Sequence, residues 1–221
     1  MLIQIYAFTN IEQAQAAAEL GVDHIGFVAG KYGLVHGELT FAEARQLAAS
    51  LPPGTKRVAL TMATGVDEIR RMADAVQPDI VHISTDVHEV GVEAMSQLRK
   101  QLPSSVQLMK AVPVEDESSI ALAHQFAPVS NWFLLDTKVR GLPGVGASGR
   151  AHDWRLSRRI AESVSVPVIL AGGLSTENVR GAIEAVQPSG VDSNTATNMP
   201  GSPVAKDMDR IRAFVAAVKG T

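Results

Sequence analysis

The sequence predicts an α/β fold in which eight strand–helix units close into a (β/α)8 TIM barrel. Three observations predict it: eight short apolar runs, an amphipathic helical pattern after each run, and no linker dividing the 221 residues. Parallel strands joined by right-handed helical crossovers can close into a barrel once eight units are present. We expect one barrel domain over residues 1–221. An open doubly wound sheet is the alternative, but no GxGxxG motif follows the first run.

The predicted strands and helices alternate along the whole chain. The strands are short apolar runs at residues 2–8, 24–28, 57–62, 80–84, 106–111, 132–136, 168–171 and 190–193. In the helical segments, apolar residues recur at spacings of three and four, which gives each helix one buried face. These segments occupy residues 11–20, 41–51, 66–76, 93–102, 117–126, 153–164, 177–186 and 206–220.

Alternation along a strand predicts which side chains point into the barrel. Apolar residues such as Ile3, Ile5, Val81 and Ile83 suit the side that faces the helices. Their neighbours are then directed inward: Gln4, Tyr6 and Phe8 on the first strand, and His82 and Ser84 on the fourth.

Composition excludes several classes of protein. The 20 Lys and Arg and 23 Asp and Glu give a net charge of −3, so we expect no nucleic-acid or membrane partner. The absence of cysteine excludes disulfides, thiolate metal ligands and thiol nucleophiles. No apolar run approaches the roughly 18 residues of a membrane span and no signal peptide is evident, so we expect a cytoplasmic protein. The histidine spacing fits no metal site, and we expect no metal.

The segment VPVILAGGLSTENVRGAIEA, residues 166–185, predicts a phosphate site. Gly172 and Gly173 follow the seventh strand, and we expect Ser175 or Thr176 to cap the next helix. Glycine lets backbone amides approach a ligand, and a helix N-terminus favours an anion. A tight turn needing positive φ is the simpler explanation of two glycines. The position after the seventh strand favours phosphate, because barrel enzymes often bind it there.

The turn after the eighth strand is expected to complete this phosphate site. It contains Asn194, Thr195 and Ala196. Backbone amides near Thr195 to Thr197 should converge with that of Gly173 on one anion.

Two carboxylates end predicted strands at the same face of the barrel. Asp136 follows the apolar run WFLLD, and Asp192 lies in GVDS. Burial there can raise a carboxyl pKa towards neutrality, which suits general acid or base catalysis. A loop hydrogen bond is the alternative role for Asp136. His82 beside Asp136 would add a group that titrates near neutral pH, although a histidine inside a barrel is otherwise an ordinary core residue.

The glycine-rich segment over residues 137–152 connects the sixth strand to the sixth helix. Its glycines predict a mobile loop that covers the site. Asp153 is placed to cap the helix that follows.

Several segments of the chain resemble the phosphoribosylanthranilate isomerase family of tryptophan biosynthesis. The matching segments are AELGVDHIGFV, WFLLDT, GASGRAHDW, VPVILAGGLSTENVRGAIEAVQPSGVDS and KDMDRIRAFVAAVK, in order and in spacing. The resemblance implies a cofactor-free Amadori rearrangement of an N-linked phosphoribosylamine to a ketose. We expect a small phosphorylated sugar as substrate and a monomer or homodimer.

The resemblance also implies catalytic roles. Asp136 matches the family's general acid at the end of the sixth strand. The family's general base is a cysteine at the end of the first strand, where this chain has Tyr6. A phenol with a pKa near 10 is a weak base at neutral pH. We therefore expect Tyr6 or His82 to replace the cysteine as base, and turnover of phosphoribosylanthranilate to be weak or absent.

Other departures from the family surround the barrel mouth. An arginine-bearing segment after the second strand is GKYGLVHGELT here, which leaves Lys31 and His36 as polar substitutes. The family's Gln-Leu-His-Gly on the fourth strand is HIST, ending in Ser84 and Thr85, and its Ser-Ser-Gly-Val-Glu after the eighth strand is NTATN. These changes predict an altered ligand pocket that includes His36 and Ser84.

Two other functions fit the same residues. One is epimerisation or aldol cleavage of another phosphosugar by Asp136 and His82, with Lys110 as a candidate Schiff-base nucleophile. The other is a non-catalytic protein that binds a phosphorylated ligand through the glycine turn. Fold alone does not separate these functions.

Overall fold

The computed structural model of the chain is a closed (β/α)8 barrel, described for residues 1–137, 144–145 and 152–220. Consecutive strands pair in parallel, and the last strand pairs with the first, which closes the sheet. The barrel strands are β1 (Leu2–Ile5), β2 (His24–Ala29), β3 (Lys56–Thr61), β4 (Ile80–Ile83), β5 (Gln107–Pro113), β6 (Trp132–Asp136), β7 (Val168–Leu170) and β8 (Gly190–Ser193). A two-residue strand, Glu38–Leu39, pairs with the end of β2. The predicted fold class is confirmed.

One helix follows each strand and covers the outside of the barrel. The helices are α1 (Ile11–Glu19), α2 (Phe41–Ser50), α3 (Val66–Val76), α4 (Val92–Gln101), α5 (Ser118–Phe126), α6 (Trp154–Ser163), α7 (Val179–Val186) and α8 (Met208–Lys219). Asp153 caps α6 as predicted, because its side chain accepts a hydrogen bond from Arg155 N. The predicted start of α7 is wrong: the helix begins at Val179 with Asn178 as N-cap. Ser175 instead closes the preceding turn, where its hydroxyl oxygen accepts from Glu177 N.

Apolar side chains form two separate cores. The larger lies between the strands and the helices and includes Ile3, Ile5 and Val81. The smaller fills the barrel and includes Tyr6, Val58, Ile80, Met109 and Ile169. The predicted inward direction of Phe8 is wrong, because β1 ends at Ile5 and the strict alternation ends with it. Phe8 packs in the outer core, and Ala7 joins Tyr6 in the inner one.

A polar chain inside the barrel fixes the strands where the sheet closes. Gln4 on β1 donates from Nε2 to Asp192 Oδ1 on β8 at 3.1 Å. Its Oε1 lies 3.1 Å from His24 Nδ1 on β2. Burial lowers the pKa of His24 to about 4, so the ring is neutral and Nδ1–H donates to Gln4. The carboxylate of Asp192 is therefore positioned by two layers of buried polar groups.

Within the described residues, no helix is long and apolar enough to cross a bilayer.

Candidate active site

A cavity of about 340 Å³ opens at the C-terminal ends of the barrel strands. It is where (β/α)8 enzymes hold their substrates. All eleven predicted site residues line it: Tyr6, His36, His82, Ser84, Asp136, Gly172, Gly173, Asp192, Asn194, Thr195 and Ala196. The structure therefore places these residues at one cavity, and shared lining assigns none of them a role.

The cavity contains two buried carboxyl groups. Asp136 and Asp192 are 8% and 7% exposed. Burial raises the pKa of Asp136 to about 7, against the hydrogen bond that its Oδ1 accepts from Thr137 N at 2.7 Å. Burial and the nearby charge of Asp136 raise the pKa of Asp192 to about 8. Like charges in a dry site cannot both form cheaply, so the pair retains a proton near neutral pH.

Tyr6 and His82 are bonded to each other across the barrel. Tyr6 Oη lies 2.8 Å from His82 Nδ1. Burial, and secondarily the charge of Asp192, raises the pKa of Tyr6 well above its usual value, so the phenol keeps its proton. Burial and the charge of Lys110 lower the pKa of His82 to about 3, so the imidazole is neutral. We assign the hydrogen bond as Tyr6 O–H donating to Nδ1, which places the ring proton on Nε2.

Neither member of this pair presents a free proton acceptor to the cavity. His82 Nδ1 is occupied by Tyr6, and Nε2 is buried without a hydrogen-bond partner. A phenol that donates to histidine is itself un-ionised. The geometry therefore favours a structural or ligand-contacting role for both residues over general base catalysis.

Gly26 on β2 makes room for the Tyr6 ring. A Cβ on Gly26 would lie 2.3 Å from Tyr6 Cδ1 and 2.6 Å from its Cγ. These are atoms at the root of a buried ring, which cannot swing aside. Sequence reasoning missed this role, because the strand pattern gives no sign of which side chain from β1 crosses a glycine on β2.

The glycine turn after β7 has the backbone geometry expected of the tight turn that was the simpler explanation of two glycines. Gly172 and Gly173 have φ of 89° and 66°, a region that other residues rarely adopt. The Asn178 side chain holds the turn by accepting from Ser175 N at 2.8 Å and donating to Gly173 O at 3.0 Å. Among the described residues, nothing accepts a hydrogen bond from Gly173 N. This amide is free to bind a ligand.

The turn after β8 forms a short 3-10 helix, Thr195–Thr197, and β8 pairs with β7, so this turn neighbours the glycine turn. The amides of Thr195 and Ala196 bond to no acceptor in the described parts of the chain. Thr197 N donates to Asn194 O at 3.1 Å, so its predicted availability for an anion is wrong.

A fully buried lysine lies behind this turn, and sequence reasoning missed it. Lys206 was predicted to begin the last helix, but α8 begins at Met208, and Lys206 forms an antiparallel bridge with Asn198. Its Nζ donates to Asn198 Oδ1 at 2.6 Å and to Asn194 Oδ1 at 3.1 Å. Burial lowers the pKa of Lys206 to about 7, against the attraction of Asp192. Helical periodicity carries no signal for such a residue.

His36, Ser84 and Val145 also line the cavity, and of the three only His36 is exposed. Ser84 Oγ donates to Val145 O at 2.9 Å, and Val145 N donates to Ser84 O at 2.9 Å. A Cβ on the preceding Gly144 would lie 2.5 Å from Ser84 O. The predicted mobility and closure of the 137–152 loop concern residues 138–143 and 146–151, which lie outside the described residues.

Apolar side chains make up a large part of the cavity lining. They come from β2, β3 and β6 and from the segments beside them: Val28, Val35, Leu60, Met62, Leu134 and Val145. The two carboxyls and the turns after β7 and β8 line the same cavity. The cavity therefore suits a ligand that carries both an apolar ring and an anionic group.

Two lysines considered from the sequence do not line the cavity. Lys110 is fully buried, donates to Thr85 O at 2.8 Å and lies 5.6 Å from the ring centroid of Phe126 on α5, so it faces the outer core. Lys31 donates to the carbonyl of Glu38. Lys110 is thus poorly placed to form a Schiff base with a ligand in the cavity. Among the described residues, no three or more His, Asp or Glu side chains form a group that could hold a metal ion.

Comparison with known proteins gives a consistent result. The family model described as PRAI: N-(5'phosphoribosyl)anthranilate (PRA) isomerase matches residues 3–217. N-(5'-phosphoribosyl)anthranilate isomerase of Haloferax volcanii is 34% identical over 217 residues, covering 98% of this chain and 92% of that protein. The enzyme of the same name from Pseudomonas fluorescens (strain Pf0-1) is 37% identical over 216 residues, covering 98% and 97%.

Solved structures agree with the sequence relatives. Phosphoribosyl anthranilate isomerase from Thermotoga maritima superposes with a TM-score of 0.83 at 28% identity, covering 100% of both chains. A phosphoribosyl anthranilate isomerase in complex with reduced 1-(o-carboxyphenylamino)-1-deoxyribulose 5-phosphate gives 0.81 at 27% identity, again over 100% of both chains. Neither comparison supports the alternatives of an epimerase, an aldolase or a non-catalytic binding protein.

Proposed function

This chain belongs to the N-(5'-phosphoribosyl)anthranilate isomerase family, and on that premise we propose that it isomerises N-(5'-phosphoribosyl)anthranilate to the corresponding deoxyribulose phosphate, a step of tryptophan biosynthesis. The observation that carries the proposal is the meeting of two buried carboxyls with raised pKa values, Asp136 and Asp192, with a glycine turn and apolar side chains in one cavity. The relatives give no support to the expectation of weak turnover, and the proposal replaces it.

The substrate's two ends match two sets of groups in the cavity lining. The free amides of Gly173, Thr195 and Ala196 suit the phosphate, because backbone N–H groups bind anions without a side-chain charge. The aromatic ring of the anthranilate packs on the apolar side chains of the lining. His36, an exposed lining residue, is the polar group available to its carboxylate.

Asp136 acts as general acid in ring opening. Its protonated carboxyl donates to the ribose ring oxygen as the C1′–O4′ bond breaks, and the nitrogen lone pair forms the C1′=N bond of a protonated imine. A carboxyl with a pKa of about 7 holds enough proton at neutral pH for this step.

We assign the general base to Asp192 in preference to Tyr6 and His82. Its carboxylate lines the cavity and accepts one hydrogen bond among the described residues, from Gln4. In the reactive form of the pair the shared proton lies on Asp136 and Asp192 is ionised. The pKa values of about 7 and about 8 differ by only about 1.4 kcal/mol, so this form is populated near neutral pH. Asp192 removes the proton from C2′; the C–H electron pair forms the C1′=C2′ bond, and the C1′=N pair returns to nitrogen.

The same two groups complete the reaction. Asp192 returns its proton to C1′ of the enolamine, the enol hydroxyl at C2′ gives its proton to Asp136, and the C2′ carbonyl forms. Two protons have moved from C2′ and O2′ to C1′ and O4′, so the product is an isomer. Each carboxyl ends in the protonation state in which it began.

The test is a fluorescence assay of N-(5'-phosphoribosyl)anthranilate conversion by the wild type and three isosteric variants. Asp136→Asn and Asp192→Asn should each lower kcat by about a hundred- to ten-thousand-fold, the usual effect of losing a general acid or base. Tyr6→Phe removes the hydroxyl but leaves the ring in place, so kcat should stay within a few fold.

Other outcomes would assign the base differently. Loss of activity in Tyr6→Phe with retention in Asp192→Asn would identify the phenol as base. Loss in His82→Ala with retention in the Tyr6 and Asp192 variants would identify the imidazole. No turnover by the folded wild type would refute the proposed function. Thermal unfolding of each variant establishes that it is folded.

The oligomeric state stays a prediction. A crystal structure of Thermotoga maritima phosphoribosylanthranilate isomerase, 27% identical with a TM-score of 0.81, describes monomers generated from a dimeric enzyme. We propose a monomer or homodimer for this chain, which analytical ultracentrifugation distinguishes.

A further inference from the structure

The buried lysine behind the β8 turn has no role in the reaction scheme above. Lys206 is 0% exposed, and its backbone is held on both sides by Gln13 of α1, which accepts from Lys206 N and donates to Lys206 O. A fully buried lysine is rare unless it is paired with an opposite charge. Its environment therefore requires an explanation.

In the part of the chain that the structure describes, every polar partner of the Lys206 ammonium is neutral. Nζ lies 2.6 Å from Asn198 Oδ1, 3.1 Å from Asn194 Oδ1, 3.2 Å from Asn194 O and 3.4 Å from Thr197 Oγ1. It also lies 5.7 Å from the ring centroid of Phe8. No carboxylate lies within ion-pair distance of Nζ among the described residues. The ammonium donates hydrogen bonds to the 194–198 turn, but no opposite charge neutralises it.

The same 194–198 segment separates the lysine from the cavity. Asn194, Thr195 and Ala196 line the cavity on one side, while Asn194, Thr197 and Asn198 bind Nζ on the other. A dianion on the cavity side would meet the lysine's field across one layer of backbone, in a site with little water to screen it.

We propose that Lys206 is a concealed cation of the phosphate site, a positioning residue that orders the 194–198 turn and attracts the substrate phosphate through it. The inference rests on the proposed function, because it takes this turn to hold the phosphate. The phosphate supplies the opposite charge that the protein omits, and the lysine strengthens binding without exposing an ammonium to the reacting sugar.

Protonation of Lys206 and binding of a dianion must affect each other equally, so the inference can be measured. If protonated Lys206 strengthens binding of a dianion tenfold, the dianion must raise the pKa of Lys206 by about one pH unit. Because Lys206 has a pKa of about 7 in the ligand-free protein, the gain in dianion affinity should be nearly full at pH 6 and nearly lost at pH 9. The groups around Nζ from α1, from the 194–198 segment and from Phe8 do not titrate; Asp192 on β8 does, and it must be controlled.

The experiment measures sulfate binding by calorimetry and NMR, because sulfate stays a dianion over this pH range. Lys206→Met should weaken sulfate about tenfold at pH 6 and less than twofold at pH 9, and the same ratio should appear in an Asp192→Asn background. In wild type, the amides of Gly173, Thr195 and Ala196 should shift on sulfate addition. The Lys206 ¹³Cε midpoint should rise by about one pH unit.

A second variant guards against misfolding of Lys206→Met. Asn198→Asp places a carboxylate beside Nζ with nearly unchanged shape, although it removes the donor to Pro203 O at 2.9 Å. It should weaken sulfate at pH 6 as Lys206→Met does while keeping the lysine charged. Lys110→Met, which removes a different fully buried lysine outside the cavity lining, is the matched control and should leave sulfate affinity unchanged.

The two proposals fail in different ways. Sulfate that shifts none of the three amides in the wild type would overturn the phosphate site itself. Sulfate that binds there with the same affinity and pH dependence in wild type, Lys206→Met and Asn198→Asp would overturn the role of Lys206 and leave the phosphate site standing. A weaker affinity in Lys110→Met equal to that in Lys206→Met would also overturn it.

Discussion

Replacing Asp136 with asparagine should stabilise the folded chain in alkaline solution while it abolishes turnover. Asparagine keeps the oxygen that accepts from Thr137 N at 2.7 Å, and it carries no charge. The folded carboxyl has a pKa of about 7, whereas an unfolded aspartate titrates near 3.9. The unfolded chain therefore loses this proton first as the pH rises, and the stability of the wild type falls between about pH 4 and pH 7.

The magnitude follows from the difference of about three pH units. At about 1.36 kcal/mol for each unit, the charged carboxylate costs at most about 4 kcal/mol of folding free energy above pH 8. Relaxation of the surrounding protein around the charge offsets part of this cost, so we expect Asp136→Asn to gain about 2 kcal/mol at pH 9 and about 0 at pH 4. Removing this charge also lowers the pKa of Asp192, which adds to the gain.

Urea unfolding of the wild type and Asp136→Asn at pH 4, 6, 7.5 and 9 measures this directly. A difference in unfolding free energy that grows with pH and levels off above pH 8 agrees with a buried, proton-retaining carboxyl. A difference independent of pH, or a loss of stability at pH 9, would refute the reasoning. The matched control is Glu12→Gln, which removes a carboxylate from the exposed surface of α1. Lys110→Met does not serve here, because it also removes a buried charge.

Three further predictions follow from the geometry of the site. Gly26→Ala should lower the melting temperature, because the added methyl collides with the Tyr6 ring, and adding Tyr6→Cys should restore it. Thermal unfolding in which the losses of the two single variants simply add in the double variant would contradict this. Gly173→Ala should weaken sulfate binding at least tenfold, since alanine is disfavoured at a φ of 66°; calorimetry with unchanged affinity would count against the turn as an anion site. Gly144→Ala should raise KM for the substrate, because its methyl would push the 144–145 segment from Ser84; a steady-state assay with unaltered KM would show that this contact is dispensable.

The barrel and the position of its cavity were accessible from the sequence for a physical reason. Eight alternations of strand and helix leave few topologies, and the alternation along β4 directs His82 inward wherever the strand begins. Asp136 follows an apolar strand, so its burial at the strand end was predictable. Its raised pKa follows from that burial.

The contacts between side chains on different strands could not be predicted from the sequence. Tyr6 and His82 are 76 positions apart, and their hydrogen bond depends on the shear of the barrel and on the space that Gly26 leaves. That bond is the reason for assigning the base to Asp192 in preference to Tyr6 or His82. Lys206 escaped notice because a lysine before a helix is usually exposed, whereas here its side chain is buried against the 194–198 segment and Phe8.

The pH dependence of kcat/KM for N-(5'-phosphoribosyl)anthranilate tests the carboxyl pair most directly. If Asp136 and Asp192 share one proton as acid and base, the profile of the wild type should be bell-shaped with limbs near pH 7 and pH 8, and Asp192→Asn should lose the bell together with most of its activity. Two results would contradict the account. One is a wild-type rate that rises in a single limb above pH 9, which ionisation of the Tyr6 phenol would produce. The other is a rate that is flat from pH 6 to pH 9.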